Sequence, residues 1–146
     1  KGFGNTHGSK VVKIGSYNIV GIHTLTYTVI FGGCPPGFLF GQEYEVFLMD
    51  GGKIISNKYK RMFYVWLDGL DHSEGTLGDI KLLMGAHFGA TQGSKIVTFG
   101  THNVSVVSWS SSNIRVKVPN ISPNTYEVYI QEGGKAISKK SNFRVL

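Results

Sequence analysis

Five histidines, nine acidic residues, one cysteine and two Asn-x-Ser sequons are the groups in this chain whose types and spacing could carry chemistry. The histidines are His7, His23, His72, His87 and His102. None stands two or four positions from another, and no cysteine joins them at zinc spacing, so zinc frameworks are not supported. His72 lies among Asp68, Asp71 and Glu74, oxygen and nitrogen donors that could surround Ca²⁺. Their spacing matches no calcium loop, and a solvated polar linker accounts for the same residues. Covalent catalysis needs a nucleophile beside a base, and glycoside chemistry needs two facing carboxylates. Cys34, next to Pro35, has no identifiable partner, and most acidic residues fall in turns or in the stretch 68–75. No glycine-rich loop joins a strand to a helix, so the glycines read as turn glycines. The expectation is a chain with no catalytic role, no metal and no cofactor.

Cys34 cannot form a disulfide within the chain; either its partner lies elsewhere or it is a buried thiol. Asn103-Val104-Ser105 and Asn120-Ile121-Ser122 are candidate N-glycosylation sites in a eukaryotic secretory source, with Pro123 weakening the second. Net charge is +6, but the lysines are dispersed and the arginines are only Arg61, Arg115 and Arg144. Turn lysines and edge-strand lysines explain that balance better than a nucleic-acid face. Charged residues make up 16% of the chain, below the usual quarter or so, and 20 glycines are about twice the usual share. Both features fit short strands and tight turns. No apolar run is long enough for a membrane helix.

The elements that must position these residues come in two sets. Phe3-Gly4-Asn5-Thr6-His7-Gly8-Ser9-Lys10-Val11-Val12-Lys13-Ile14-Gly15 returns 85 positions on, as the stretch from Phe88 to Gly100, with eight of thirteen residues identical. Tyr44-Glu45-Val46 and Gly51-Gly52-Lys53 return 82 positions on, and Phe63 and Val65 align with Phe143 and Val145, 80 on. The falling offset predicts two small insertions in the first copy. A period near 80 residues predicts two domains, 1–67 and 68–146, joined by the polar stretch 68–75.

Strands are expected at Val11–Ile14, 17–20, 25–31, Tyr44–Leu48, Lys53–Ser56 and Met62–Leu67 in the first copy. In the second they are expected at Ile80–Met84, 94–99, 104–109, 113–118, 125–131, 135–138 and 142–146. The stretch 32–37 reads as a loop. Ile114, Val116 and Val118 alternate with Arg115 and Lys117, the mark of a half-buried antiparallel strand. About seven short strands in 80 residues point to an all-β, immunoglobulin-like sandwich. Phe3 and Phe88 are expected to plug one end of each core, and Trp109 to pack at the core or its rim. The second copy has strand-like residues 80–84 before its repeat, whereas nothing precedes Lys1. The first domain is therefore expected to lack one or more N-terminal strands and the chain to be a piece of a longer one.

The second copy resembles an IPT/TIG domain, the immunoglobulin-like module shared by plexins and transcription factors. The resemblance rests on Gly85-Ala86-His87-Phe88-Gly89, on Trp109-Ser110 through Ile114-Arg115-Val116-Lys117-Val118-Pro119, and on Tyr126-Glu127-Val128 with Gly133-Gly134 and the closing Phe143-Arg144-Val145. The first copy matches at Phe3-Gly4, at Cys34-Pro35-Pro36-Gly37 and at its end, and lacks the tryptophan. The resemblance implies two tandem sandwiches of a kind found in surface receptors, in accessory regions of bacterial polysaccharide-active proteins, and in Rel-type DNA-binding proteins.

The first expectation is therefore a non-enzymatic extracellular or cell-surface module. It would contact other protein chains or neighbouring repeats through an edge at Val11, Val12, Lys13 and Ile14. The alternative is a carbohydrate-binding accessory region with glycans as partners and a flat row of Tyr17, Tyr59 or Tyr64. A DNA-binding module comes third, and it would require a steep salt dependence.

Overall fold

The computed structural model describes residues 10–25, 30–33 and 37–146, with the backbone alone at 20–25 and 30–33. It divides into two compact units, Lys1–Phe63 and Tyr64–Leu146. The chain is all-β and of immunoglobulin-like sandwich type. The first unit contains β1 (Lys10–Ile14), β2 (Tyr17–Asn18), β3 (Val20–Leu25), β4 (Ile30–Gly33), β5 (Gln42–Asp50), β6 (Lys53–Ile54) and β7 (Tyr59–Phe63). The second contains β8 (Trp66–Leu70), β9 (Glu74–Gly75), β10 (Ile80–Ala86), β11 (Ile96–Phe99), β12 (His102–Asn103) and β13 (Val106–Trp109). It continues with β14 (Asn113–Lys117), β15 (Asn124–Glu132), β16 (Lys135–Ala136) and β17 (Ser141–Val145).

In the second unit one sheet runs β13-β14-β10-β8 and the other β12-β11-β15-β17-β9, with β16 also on β15. Every second residue of a strand points the same way, so β14 buries Ile114 and Val116 and exposes Asn113, Arg115 and Lys117, as its alternation predicts. Leu83 of β10 joins them from the same sheet. Val97, Phe99, Val128, Ile130, Phe143 and Val145 are buried on the strands of the other. Phe99 and Phe143 meet edge to face at 5.3 Å, a favoured geometry for two ring quadrupoles. Phe88 is fully buried, as expected, and its ring meets Trp109 at 6.3 Å. Phe3 lies outside the described residues.

In the first unit β1 lies between β2 and β5, and β5 also carries β6 and β7; β3 and β4 pair antiparallel as a separate two-stranded sheet. The register of β1 on β5 (Ile14 opposite Val46) parallels that of β11 on β15 (Phe99 opposite Val128). Detailed bonds recur as well. Ser56 Oγ accepts the Leu48 amide at 2.7 Å and donates to the Asn57 carbonyl; Ser138 Oγ accepts the Ile130 amide at 2.8 Å and donates to the Lys139 carbonyl. Lys58 pairs with Glu45, and Lys140 with Glu127.

Several expectations change. Phe63 stands opposite Gln42 and Val145 opposite Asn124, so the counterpart of Phe63 is Val145, the shift stays at 82, and the second insertion is absent. The expected strand 62–67 splits into β7 and β8, and the units divide after Phe63 rather than after Leu67. The stretch 68–75 is not a linker, because it supplies the end of β8 and all of β9, the latter parallel to β17. Val65 and Leu67 explain both corrections: they bury their side chains in the second unit, and the Val65 amide donates to the Ile137 carbonyl at 2.7 Å. Lastly, β4 includes Gly32 and Gly33, placed in the loop by their glycines alone; Gly33 pairs with Val20.

Candidate functional site

One corner of the second unit gathers polar side chains around a ring. It is built from the turn between β11 and β12. Gly100, at φ +60°, makes that turn, and the Tyr126 ring lies 3.1 Å from where a Gly100 Cβ would stand. A larger residue would be strained there and would push the ring away. The Gly100 amide donates to the Glu127 carbonyl at 2.7 Å. Tyr126, early in β15, donates its hydroxyl to the Ser122 carbonyl at 2.8 Å, four residues upstream. This is the bond of an immunoglobulin-type tyrosine corner, and it fixes the loop before the strand. His102 stands edge-on to Tyr126, centroids 6.1 Å apart. Together His102, Asn120, Ile121, Ser122, Pro123 and Tyr126 line an open depression of about 530 Å³. A second depression of about 470 Å³ shares Pro123 and is bounded by Asn124, Thr125, Arg144, Val145 and Leu146. Ligand sites typically measure about 300–1,000 Å³.

No Asp, Glu, Lys or Arg lines the first depression. The resolved titration shifts belong to groups outside it. Burial pushes the Asp71 carboxyl up, but the Leu82 amide and His72 outweigh this and hold it below its usual value. The Thr76 amide lowers Asp79, and the hydrogen bond to Glu127, 2.6 Å long, raises Lys140.

The first unit builds the same corner differently. Tyr44 lies under Gly15 and donates to the Leu39 carbonyl at 3.0 Å; Tyr17 stands edge-on to it at 6.1 Å. Phe38 then packs against Tyr17, Tyr44 and Phe63 at 5.5, 4.9 and 5.4 Å. Where the second unit has His102, Ile121 and Val145, the first has Tyr17, Phe38 and Phe63.

Of the residues singled out from sequence, His102 and Asn120 stand at this corner and the others do not. Asn103, in β12, and Asn120 are both exposed. Val11 to Ile14 form β1, whose whole length pairs with β5. On its other side Lys13 and Ile14 pair with β2, and the Val12 carbonyl accepts the Ile19 amide at 2.9 Å. The edge expected there is therefore taken up along Val12–Ile14 by the hairpin that Gly15 turns. Tyr17 is half-buried and packed in the Phe38 cluster. Tyr59 is 54% exposed on β7, with the Arg61 guanidinium 5.9 Å from its ring; Tyr64 belongs to the second unit. Trp109 is half-buried and donates Nε1–H to the Gly89 carbonyl at 3.0 Å, a rim position.

His7 and Cys34 lie outside the described residues. His72 Nδ1 lies 3.2 Å from Asp71, while Glu74 pairs with Arg144 at 3.9 Å. Among the described residues no three of His, Cys, Asp or Glu converge on a metal-sized site. No helix among them is long and apolar enough to cross a membrane. Sequence reasoning missed the His102–Tyr126 pair. The signal was present in the repeat, which aligns His102 with Tyr17 at 85 and Tyr126 with Tyr44 at 82.

The model of the IPT/TIG domain family matches residues 72–145. A cyclomaltodextrin glucanotransferase of Geobacillus stearothermophilus is 40% identical over 73 residues, 49% of this chain and 10% of that protein. A cyclomaltodextrin glucanotransferase of Thermoanaerobacterium thermosulfurigenes is 30% identical over 142 residues, 87% of this chain and 19% of that protein. The chain thus spans between a tenth and a fifth of the length of these relatives. A solved structure from Bacteroides thetaiotaomicron, of unknown function, superposes with a TM-score of 0.51 at 17% identity. It covers 57% of this chain and 22% of its own, a likeness of fold.

Proposed function

The chain belongs to the IPT/TIG domain family through residues 72–145, and on that footing we propose that it is a non-catalytic, carbohydrate-binding accessory region of a larger extracellular glucan-active protein. The observation that carries this reading is the 30% identity to a cyclomaltodextrin glucanotransferase across 87% of the chain. A piece that matches only 19% of such a protein leaves most of that protein's length for other work. The first unit is taken as a second, diverged copy of the domain. Its support is the shared strand register, the paired Ser56 and Ser138 bonds, and the paired Lys58–Glu45 and Lys140–Glu127 bridges. The test is equilibrium binding of the chain to maltoheptaose and to a cyclomaltodextrin by titration calorimetry. Saturable binding is expected; no heat or spectral change with either sugar at millimolar concentration would reject the reading.

A second reading, recognition of another protein, is favoured by a different observation. Ile80, Leu82 and Met84 stand cross-strand from Lys117, Arg115 and Asn113 on the outward face of β10. Trp66, 59% exposed, pairs with Ala86 at the end of the same row. A protein partner or neighbouring domain would bury this row in the intact protein. Oxidative footprinting read by mass spectrometry should then show Trp66 and Met84 protected there and reactive in this chain. Equal reactivity in both would count against it.

A further inference from the structure

The same corner of the two units is treated in opposite ways. In the first unit five rings meet: Tyr17, Phe38, Phe40, Tyr44 and Phe63. In the second unit the tyrosine under the glycine is kept, along with its hydroxyl bond to the loop carbonyl. Three of the rings are replaced by smaller side chains, however: Tyr17 by His102, Phe38 by Ile121 and Phe63 by Val145. Ile121 holds the place of Phe38 because each directly precedes the carbonyl that the tyrosine hydroxyl reaches. The frame is kept while the filling is reduced: His102 and Ile121 line the depression of about 530 Å³, and Val145 lines the neighbouring one of about 470 Å³.

The lining defines the guest. It carries no formal charge from Asp, Glu, Lys or Arg, so it does not select an ion. His102, Asn120 and Ser122 offer donors and acceptors side by side, and an amide and a hydroxyl each do both. Ile121, Pro123 and the Tyr126 ring offer apolar surface between them. A pyranose ring has this mixture: hydroxyls around its rim and a C–H face that lies against apolar or ring surfaces. We propose that this corner of the second unit is a sugar-ring site for a neutral glucan, occupied in the first unit by the chain's own Phe38. The inference rests on the carbohydrate-binding reading and assigns that reading a place. His102 and Asn120 hydrogen-bond the hydroxyls, and Ile121 sets the depth of the site.

The experiment is amide chemical-shift mapping of the full 146-residue chain titrated with maltoheptaose. It is repeated on His102→Ala, whose side chain is exposed and outside the core, and on Ile121→Phe, which restores the ring found in the first unit. Shifts centred on His102, Asn120, Ser122 and Tyr126 are expected. Each variant should bind roughly tenfold or more weakly while keeping the wild-type spectrum elsewhere. Shifts centred on another surface, or unchanged affinity in a folded Ile121→Phe chain, would overturn the assignment and leave the carbohydrate reading standing. No shift anywhere at millimolar sugar would overturn both.

Discussion

Gly85 shows how much a single residue can decide. It sits where the pairing of β8 with β10 shifts register between Met84 and Gly85. A Cβ there would collide with the Trp66 backbone carbonyl and with the Phe88 ring. Neither neighbour can yield: one is main chain in a ladder, and the other is fully buried. Gly85→Ala should therefore lower stability by roughly 1–3 kcal/mol or more, the range for overpacking a core. Thermal unfolding followed by circular dichroism measures it, and an unchanged midpoint would show that the sheet edge gives way. The glycine was legible in sequence only as the first residue of the Gly85-Ala86-His87-Phe88-Gly89 stretch that carries the family resemblance. Its reason was not, because the colliding carbonyl belongs to Trp66, in a segment the sequence assigned to the other domain. The buried phenylalanine three residues on was legible, since an invariant Phe before a turn glycine in both copies has few roles other than core. His102 and Tyr126 illustrate the opposite case: nothing in their types links them, and only the pairing of β11 with both β12 and β15, with the Gly100 turn against the Tyr126 ring, brings them together.

At the scale of elements, strand positions in the second unit follow the alternation of apolar residues closely, because one face of each strand must be buried. The short elements that tie strands together were not legible. Asp71 is one such tie. Its amide donates to the Leu82 carbonyl at 2.9 Å, and its carboxylate accepts the Leu82 amide at 3.1 Å, joining the end of β8 to the middle of β10. In sequence it looks like one more acid in a polar linker. Its pKa is lower in the folded chain than its ordinary value of 3.8. A lowered carboxyl pKa means stability that is present above the unfolded value and lost as pH falls through the folded one. Asp71→Ala should cost about 1 kcal/mol near neutral pH, the usual worth of one such bond. The gap between variant and parent should close as pH drops below 3.8. Chemical denaturation at several pH values reads this directly; a gap of constant size down to the acid limit would assign the effect to packing instead.

For the whole molecule, the division into two units was legible from the repeat, but the dividing point was not. Repeat matching compares residue types, and Val65 resembles Val145 as well as any pair in the chain. Only the ladder shows that Phe63 is the counterpart of Val145 and that Val65 belongs to the next unit. The difference has a measurable result. A piece comprising residues 64–146 should fold alone, with an amide spectrum matching that of the same residues in the full chain. A piece starting at Asp68 loses Val65 and Leu67 from the core and the Val65–Ile137 bond. At roughly 2–5 kcal/mol for each large buried aliphatic side chain removed, it should be much less stable or unfolded. Equal melting temperatures for the two pieces would move the boundary back to 67/68.

The parallel pairing of β9 with β17 has a mechanical meaning. These segments lie near opposite ends of the second unit's sequence, and Val65 makes a further parallel bridge to Ser138. Tension applied through the two ends of the unit would pull such partners in opposite directions along their own axes. The Arg144–Ser73, Leu146–Gly75 and Val65–Ile137 bonds would then be sheared together rather than peeled one at a time. Load shared in this way resists pulling far better than a hairpin opened from its end. A domain under load would profit from being clamped along that direction.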